Sequence, residues 1–205
     1  ESLNYAVIRP AIVYGPSDIN GLMPRIVCAS TYTVTKEKMK LLWSGDLRIN
    51  TVHVDDVVRA IWFVCSSTDP AVQKRGVVFN LADKTDSSQE TVNKCIEEIF
   101  GISVGYFGAV ISNLAKLKIE SAAETANENH MGPWGEMCKK SKIEHTPLSP
   151  YIDKELLFNT SLSIDGSAIE KAGFTYNHPK LTTDLLLQSM KYWQEMNMFP
   201  EYQKI

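Results

Sequence analysis

The sequence predicts an α/β fold, and three observations predict it. Short, continuously apolar runs at Tyr5-Ala6-Val7-Ile8 and Val77-Val78-Phe79-Asn80-Leu81 have the length and character of strands covered on both faces of a parallel sheet. Between them, Val57, Ala60, Ile61, Val64 and Cys65 recur at the spacing of one helical stripe. After the second run, Ser87-Ser88-Gln89-Glu90 supplies a capping box for a helix carrying Val92, Ile96 and Ile99. Strand, helix and strand alternate, as parallel sheets with crossover helices require.

Each element follows from its residues in order. Pro10 ends the first strand because proline donates no amide to a ladder. Gly15-Pro16 marks a turn, and Leu22, Met23, Ile26 and Val27 have helical spacing. Lys40 to Trp43 and Thr51 to Val54 read as short strands around the Gly45-Asp46 turn. Asp55 is expected to cap the helix of the Val57 stripe, which Asp69-Pro70 closes. Gly101 stands where a helix-terminating glycine belongs, and Val104 to Phe107 reads as a further strand. Leu114 to Asn127 reads as helical, with irregular chain through His130-Met131-Gly132-Pro133-Trp134-Gly135. Asp165 caps a short helix ending at Gly173, and Leu186, Met190 and Trp193 mark the core face of a last helix from Thr182 to Met196.

At 205 residues and 44% hydrophobic content, the chain suits one domain with a substantial core. A net charge of −3 with scattered Lys and Arg lacks the footprint of a nucleic-acid binder, so small molecules are the expected partners. Cys28, Cys65, Cys95 and Cys138 form no CxxC pair, which points to a reducing compartment and a cytoplasmic protein. No apolar run approaches the ~20 residues of a membrane span, so no membrane segment is expected. His53, His130, His145 and His178 are isolated in sequence, and no metal site is expected.

Two segments carry more than fold information: Pro10-Ala11-Ile12-Val13-Tyr14-Gly15-Pro16 and Asn50-Thr51-Val52-His53-Val54-Asp55-Asp56-Val57. Followed in order by Phe79-Asn80-Leu81-Ala82 and the Asp165-to-Phe174 helix start, they resemble the second half of an extended short-chain dehydrogenase/reductase of the NAD-dependent epimerase/dehydratase family. The resemblance implies the C-terminal part of a Rossmann-like doubly wound sheet plus the smaller α/β substrate-binding lobe. Residues 1–205 would then be the C-terminal half, with the nucleotide-binding half upstream of Glu1. It implies NAD or NADP as cofactor, with the backbone at Pro10, Ala11 and Val13 against the nicotinamide end. It also implies a small hydroxy/keto or sugar-like substrate, with Leu22, Met23, Arg25, Arg48 and His53 as pocket candidates, and it leaves a homodimer open.

The departures from that family pattern are as informative. No Gly-rich phosphate loop occurs in the sequence; Gly101 and Gly105 lack the third glycine and the strand-to-helix setting. Tyr32-Thr33-Val34-Thr35-Lys36 has the spacing of the family's Tyr/Lys acid–base pair, but it follows the proline-containing strand instead of preceding it, so no catalytic residue is expected in this chain. Ile49 stands where nucleotide-sugar members commonly place a diphosphate-clamping Arg. Arg48 is one residue early, and in an extended segment that turns it to the opposite face. A packed, neutral His53 is favoured over a catalytic one, and Trp134 reads equally as pocket lining or as a packing contact. A noncatalytic ligand-binding member of the same fold is the alternative class.

Overall fold

The structure, a computed structural model, describes residues 5–204. Among the described residues there are six strands: β1 (Ala6–Pro10), β2 (Ile12–Tyr14), β3 (Met39–Leu41), β4 (Thr51–His53), β5 (Val77–Leu81) and β6 (Val104–Tyr106). Seven α-helices accompany them: α1 (Met23–Thr35), α2 (Val54–Ser66), α3 (Gln89–Phe100), α4 (Gly108–Leu117), α5 (Ile119–Lys140), α6 (Ser167–Lys171) and α7 (Thr183–Glu195). Every ladder is parallel: β1 with β5, β2 with β4, and β3 with β6. This is the expected α/β class.

The break between β1 and β2 is the feature that positions the site. β1 pairs with β5 through Pro10 opposite Leu81, and the Ala11 amide then donates to the Leu81 carbonyl at 2.8 Å. One residue later Ile12 donates to the Asn50 carbonyl at 3.0 Å, so the chain changes partner strand at Ala11. β1 ends at Pro10 as expected, and Pro10 still fits its last position because its missing amide faces away from the β5 ladder, where none is needed. β1 is not covered on both faces as its apolar run suggests: Ala6 and Arg9 are exposed, Val7 and Ile8 half-buried, and among the described residues it pairs with β5 alone.

The helices fill two cores. The larger joins Met23, Ile26 and Val27 of α1 to Ile96 and Phe100 of α3, Trp134 of α5, and Leu186, Met190 and Trp193 of α7. The smaller packs Val52, Phe79 and Leu81 of the strands against Ala60 and Val64 of α2 and Ile169 of α6. α1 starts without a capping residue of its own. The Asp18 carboxylate instead accepts from the amides of Gly21, Leu22 and Met23 at 2.6, 2.8 and 2.9 Å. The Trp193 indole donates to the Asp18 carbonyl at 3.0 Å and ties α7 to that turn.

Two expectations are corrected. Asp55 is not the cap of α2: His53 is, with extended backbone and with its Nδ1 accepting the Asp55 amide at 3.2 Å, because Val54 is already helical. The stretch from His130 to Gly135 is not irregular either; it lies inside the 22-residue α5 with Pro133 in the helix interior. Ala123, Asn127, His130, Trp134 and Met137 form one buried stripe there, and packing against α1 overrides the local cost of proline and glycine. Asn127 adds a clamp, donating to the Ile152 carbonyl at 3.1 Å and accepting its amide at 2.7 Å.

Candidate functional site

The carboxyl ends of β2 and β4 bring one polar cluster together. Tyr14 and His53 are directly paired in the ladder, and their rings meet edge to face at 5.2 Å between centroids. The His178 ring, from the segment after α6, lies 4.1 Å from that of His53, and its Nε2 is 3.4 Å from an Asp55 carboxylate oxygen. Asp56, fully buried, holds this segment in place by accepting the Asn177 and His178 amides at 2.7 and 2.8 Å and an Arg59 nitrogen at 2.8 Å. Beneath it, the Thr51 hydroxyl bridges the Asp83 carboxylate at 2.7 Å and the Ser87 hydroxyl at 3.0 Å.

The charge states follow from burial. Since His53 Nδ1 accepts an amide, the neutral ring carries its proton on Nε2, and that nitrogen is buried with no hydrogen-bond partner among the described residues. Burial, reinforced by the nearby His178 ring, pushes the His53 pKa below its ordinary 6.5 against the opposing pull of Asp55 and Asp56. Burial, with Asp83 and Asp56 adding to it, raises the Tyr14 phenol, whose buried hydroxyl is likewise unpartnered. Burial also raises Asp83. Two neutral donors thus sit side by side where open α/β sheets receive their ligands. Gly15 makes room for them: its φ is +132°, and a Cβ there would fall 2.7 Å from a Val54 methyl and 3.0 Å from His53 Nε2.

The sequence-predicted residues are only partly gathered here. Pro10 is exposed and Val13 half-buried on either side of Ala11, whose side chain belongs to the smaller core. Leu22 and Met23 are buried in the larger core. Arg25 donates from Nη2 to the Gln89 side chain at 3.1 Å, while its Nη1 is buried and unpartnered. No carboxylate among the described residues lies within ion-pair distance of Arg25, and burial lowers its pKa. Nearby, Tyr106 accepts from Asn93 at 3.0 Å. Arg48 is on the surface, paired with Asp86 at 3.2 Å and donating to its carbonyl at 2.6 Å, whereas Ile49 packs inward against the larger core. His178 and Tyr14 were not singled out from sequence; Tyr14 stands in the proline-containing motif, but only the fold brings His178 to His53.

Tyr32 and Lys36 lie in different surroundings. Tyr32 is on α1 with its hydroxyl 3.0 Å from His130 Nε2, and burial raises its pKa to about 12. Lys36 lies past the end of the helix, in left-handed backbone at φ 57°. Trp134 is a packing residue, edge to face with Phe199 at 5.7 Å.

Residues 1–82 match the model of the NAD dependent epimerase/dehydratase family, a span that holds the β1–β2 turn, the start of α1, β4 and the start of α2. No curated protein matches the chain. Among solved structures, the UDP-N-acetylglucosamine 4-epimerase from Methanobrevibacter ruminantium M1, in complex with UDP-N-acetylmuramic acid, is similar over 95% of this chain and 47% of that one, at 14% identity and a TM-score of 0.52. The NAD dependent NDP-hexosamine 5,6-dehydratase TunA, involved in tunicamycin biosynthesis, is similar over 93% of this chain and 46% of its own, at 14% identity and a TM-score of 0.50. MoeE5 in complex with UDP-glucose and NAD is similar over 52% of this chain, at 24% identity and a TM-score of 0.39. This chain spans 34% to 47% of the length of these proteins. Residues 1–82 are therefore similar to the NAD dependent epimerase/dehydratase family, and the chain has the α/β fold of the epimerase and the dehydratase it matches over nearly its whole length.

Proposed function

We propose that this chain forms the nicotinamide-side wall and the substrate pocket of an NAD(P)-dependent epimerase/dehydratase-type enzyme acting on a small hydroxy/keto or sugar-like substrate. The observation that carries the reading is the paired Tyr14 and His53, buried and unpartnered, at the carboxyl ends of β2 and β4 beside the partner change at Ala11. The similarity to TunA, described as NAD dependent, and to a nucleotide-sugar epimerase supports the same class.

The residues present fit one end of a dinucleotide. Pro10, exposed, and Val13 flank the partner change at Ala11, while nothing in the sequence supplies the glycine-rich amides that a pyrophosphate needs. When bound, NAD(P) would supply or accept the hydride. The chain's own part is to form the wall of the pocket: Tyr14 and neutral His53, both buried, fix the carboxyl ends of β2 and β4, and Asp55 and Asp56 hold the partly exposed His178 ring beside them. Arg25 is the guanidinium we assign to an acidic or carbonyl oxygen of the substrate. Arg48, engaged by Asp86, and the inward Ile49 leave no clamp for a diphosphate at β4, so a substrate without a diphosphate is the better fit. A chain of residues 1–205 on this reading is one half of the catalytic unit, and the unpaired edge of β1 is where the other half's strands would join.

The test is NADH fluorescence titration of the 205-residue chain and of the longer protein that carries it. The chain alone should show no saturable change, and the longer protein should bind and turn over a hydroxy or keto substrate. If the longer protein binds neither NADH nor NADPH, the enzyme reading fails and a noncatalytic ligand-binding role replaces it.

A further inference from the structure

We infer that α4 is a hinged lid, latched by a hydrogen bond to the turn beside Arg25, and that it controls access to this guanidinium. This rests on the assignment of Arg25 to a substrate oxygen. Little holds α4 down. Among its described side chains only Ser112 is buried and Ala115 half-buried, while Val110, Ile111, Leu114 and Leu117 are exposed. A firmly docked helix buries an apolar stripe, and α4 buries a hydroxyl instead. Both ends suit a hinge. Gly108 has φ +77° with nothing within 4 Å of where a Cβ would stand, no side chain caps the start of the helix, and Lys118, at φ −135° and ψ 49°, breaks it from α5.

The latch is the Ser112 hydroxyl, which accepts the Trp43 amide at 2.7 Å. Trp43 is held in left-handed backbone at φ +68°, where a bulky residue is strained, and its indole donates to the Leu157 carbonyl at 2.9 Å. The turn around Trp43 is fixed to the start of α3. Gln89 Nε2 donates to the Leu42 and Ser44 carbonyls at 3.1 Å each, and the Glu90 amide donates to the Gly45 carbonyl at 2.8 Å. The Gln89 side-chain oxygen accepts from Arg25, so one amide joins the latched turn to the guanidinium. In the same surroundings Arg25 Nη1 and Asn93 Oδ1 are buried with no partner among the described residues, a donor and an acceptor costly to keep dry. Lifting α4 breaks the Ser112 bond and uncovers no apolar side chain of the helix, so opening costs little and lets water or a substrate oxygen reach these atoms.

The experiment is labelling of the 205-residue chain with phenylglyoxal, which modifies accessible guanidinium groups, read by peptide mass spectrometry beside amide hydrogen exchange. Exposed Arg75 is the internal standard. Ser112→Ala should speed Arg25 labelling and α4 exchange about fivefold, the factor that one hydrogen bond of ordinary net strength confers, and leave Arg75 labelling and β4 exchange unchanged. Gly108→Ala strains the hinge at positive φ without touching the latch; it should act in the same direction, and it serves if Ser112→Ala does not fold. Sodium lactate, a hydroxy carboxylate, should slow Arg25 labelling in both variants. The lid is overturned if Arg25 labelling is unchanged in a variant that folds, or if it rises only together with β4 exchange, because global unfolding then explains it. If the variants behave as expected and lactate gives no protection, the lid stands and the assignment of Arg25 to a substrate oxygen fails.

Discussion

His53 caps α2 with one ring nitrogen, and substitution tests that role. Nδ1 caps α2, so His53→Ala should cost about 1 kcal/mol in denaturant unfolding, while His53→Asn, which also accepts an amide, should cost a few tenths. Equal stability losses for Ala and Asn would refute the capping role. The same residue sets a pH dependence. Burial lowers the pKa of both His53 and His130, so the unfolded chain binds more protons than the folded one near their ordinary 6.5. Their contribution is complete above that value and is lost as pH falls through it, and the urea midpoint should therefore decline from pH 7 toward pH 5.5. A midpoint that rises over this interval would contradict the assignment. Tyr32→Phe should cost about 1 kcal/mol through the His130 contact and leave turnover of the longer enzyme within a few-fold. A loss of roughly 10²–10⁴-fold would make Tyr32 a catalytic acid–base group after all.

At the scale of an element, α5 is the instructive case. Its buried stripe holds it against α1 although Pro133 offers no amide to the preceding turn and Gly132 and Gly135 weaken it further. Pro133→Ala should therefore raise stability by about 1 kcal/mol or more, whereas Trp134→Ala should lower it by about 3–5 kcal/mol through the cavity beside Phe199. Chemical denaturation of both variants checks the pair. A destabilising Pro133→Ala would mean that the proline shapes a bend on which the packing depends.

At the scale of the molecule, the parallel ladders differ in exposure. Thr51, Val52 and His53 of β4 are buried, while β1 pairs on one edge alone among the described residues. Amide hydrogen exchange should accordingly be slowest in β4 and faster in β1, with α4 among the fastest helical segments because its outer stripe lies in solvent. With the proposed upstream half present, β1 should become as protected as β4. Unchanged exchange there would show that no strand joins its free edge.

Local pattern by itself determined the class and most of the elements. β5, the Gly101 end of α3 and the stripe of α7 lie where the residues place them, and the capping box of α3 sits one residue on, at Ser88 and Thr91, because capping, helix termination and periodicity act between near neighbours. Sequence order identified the proline-containing turn and the His53 segment as the informative ones, and residue parity placed Arg48 and Ile49 on opposite sides. Only the tertiary structure decided the rest. It set His178 against His53 across more than half the chain, kept α5 helical through Pro133, and buried Arg25 without a carboxylate. Those outcomes depend on contacts between distant segments, whose burial and hydrogen bonds outweigh the local preferences that a sequence displays.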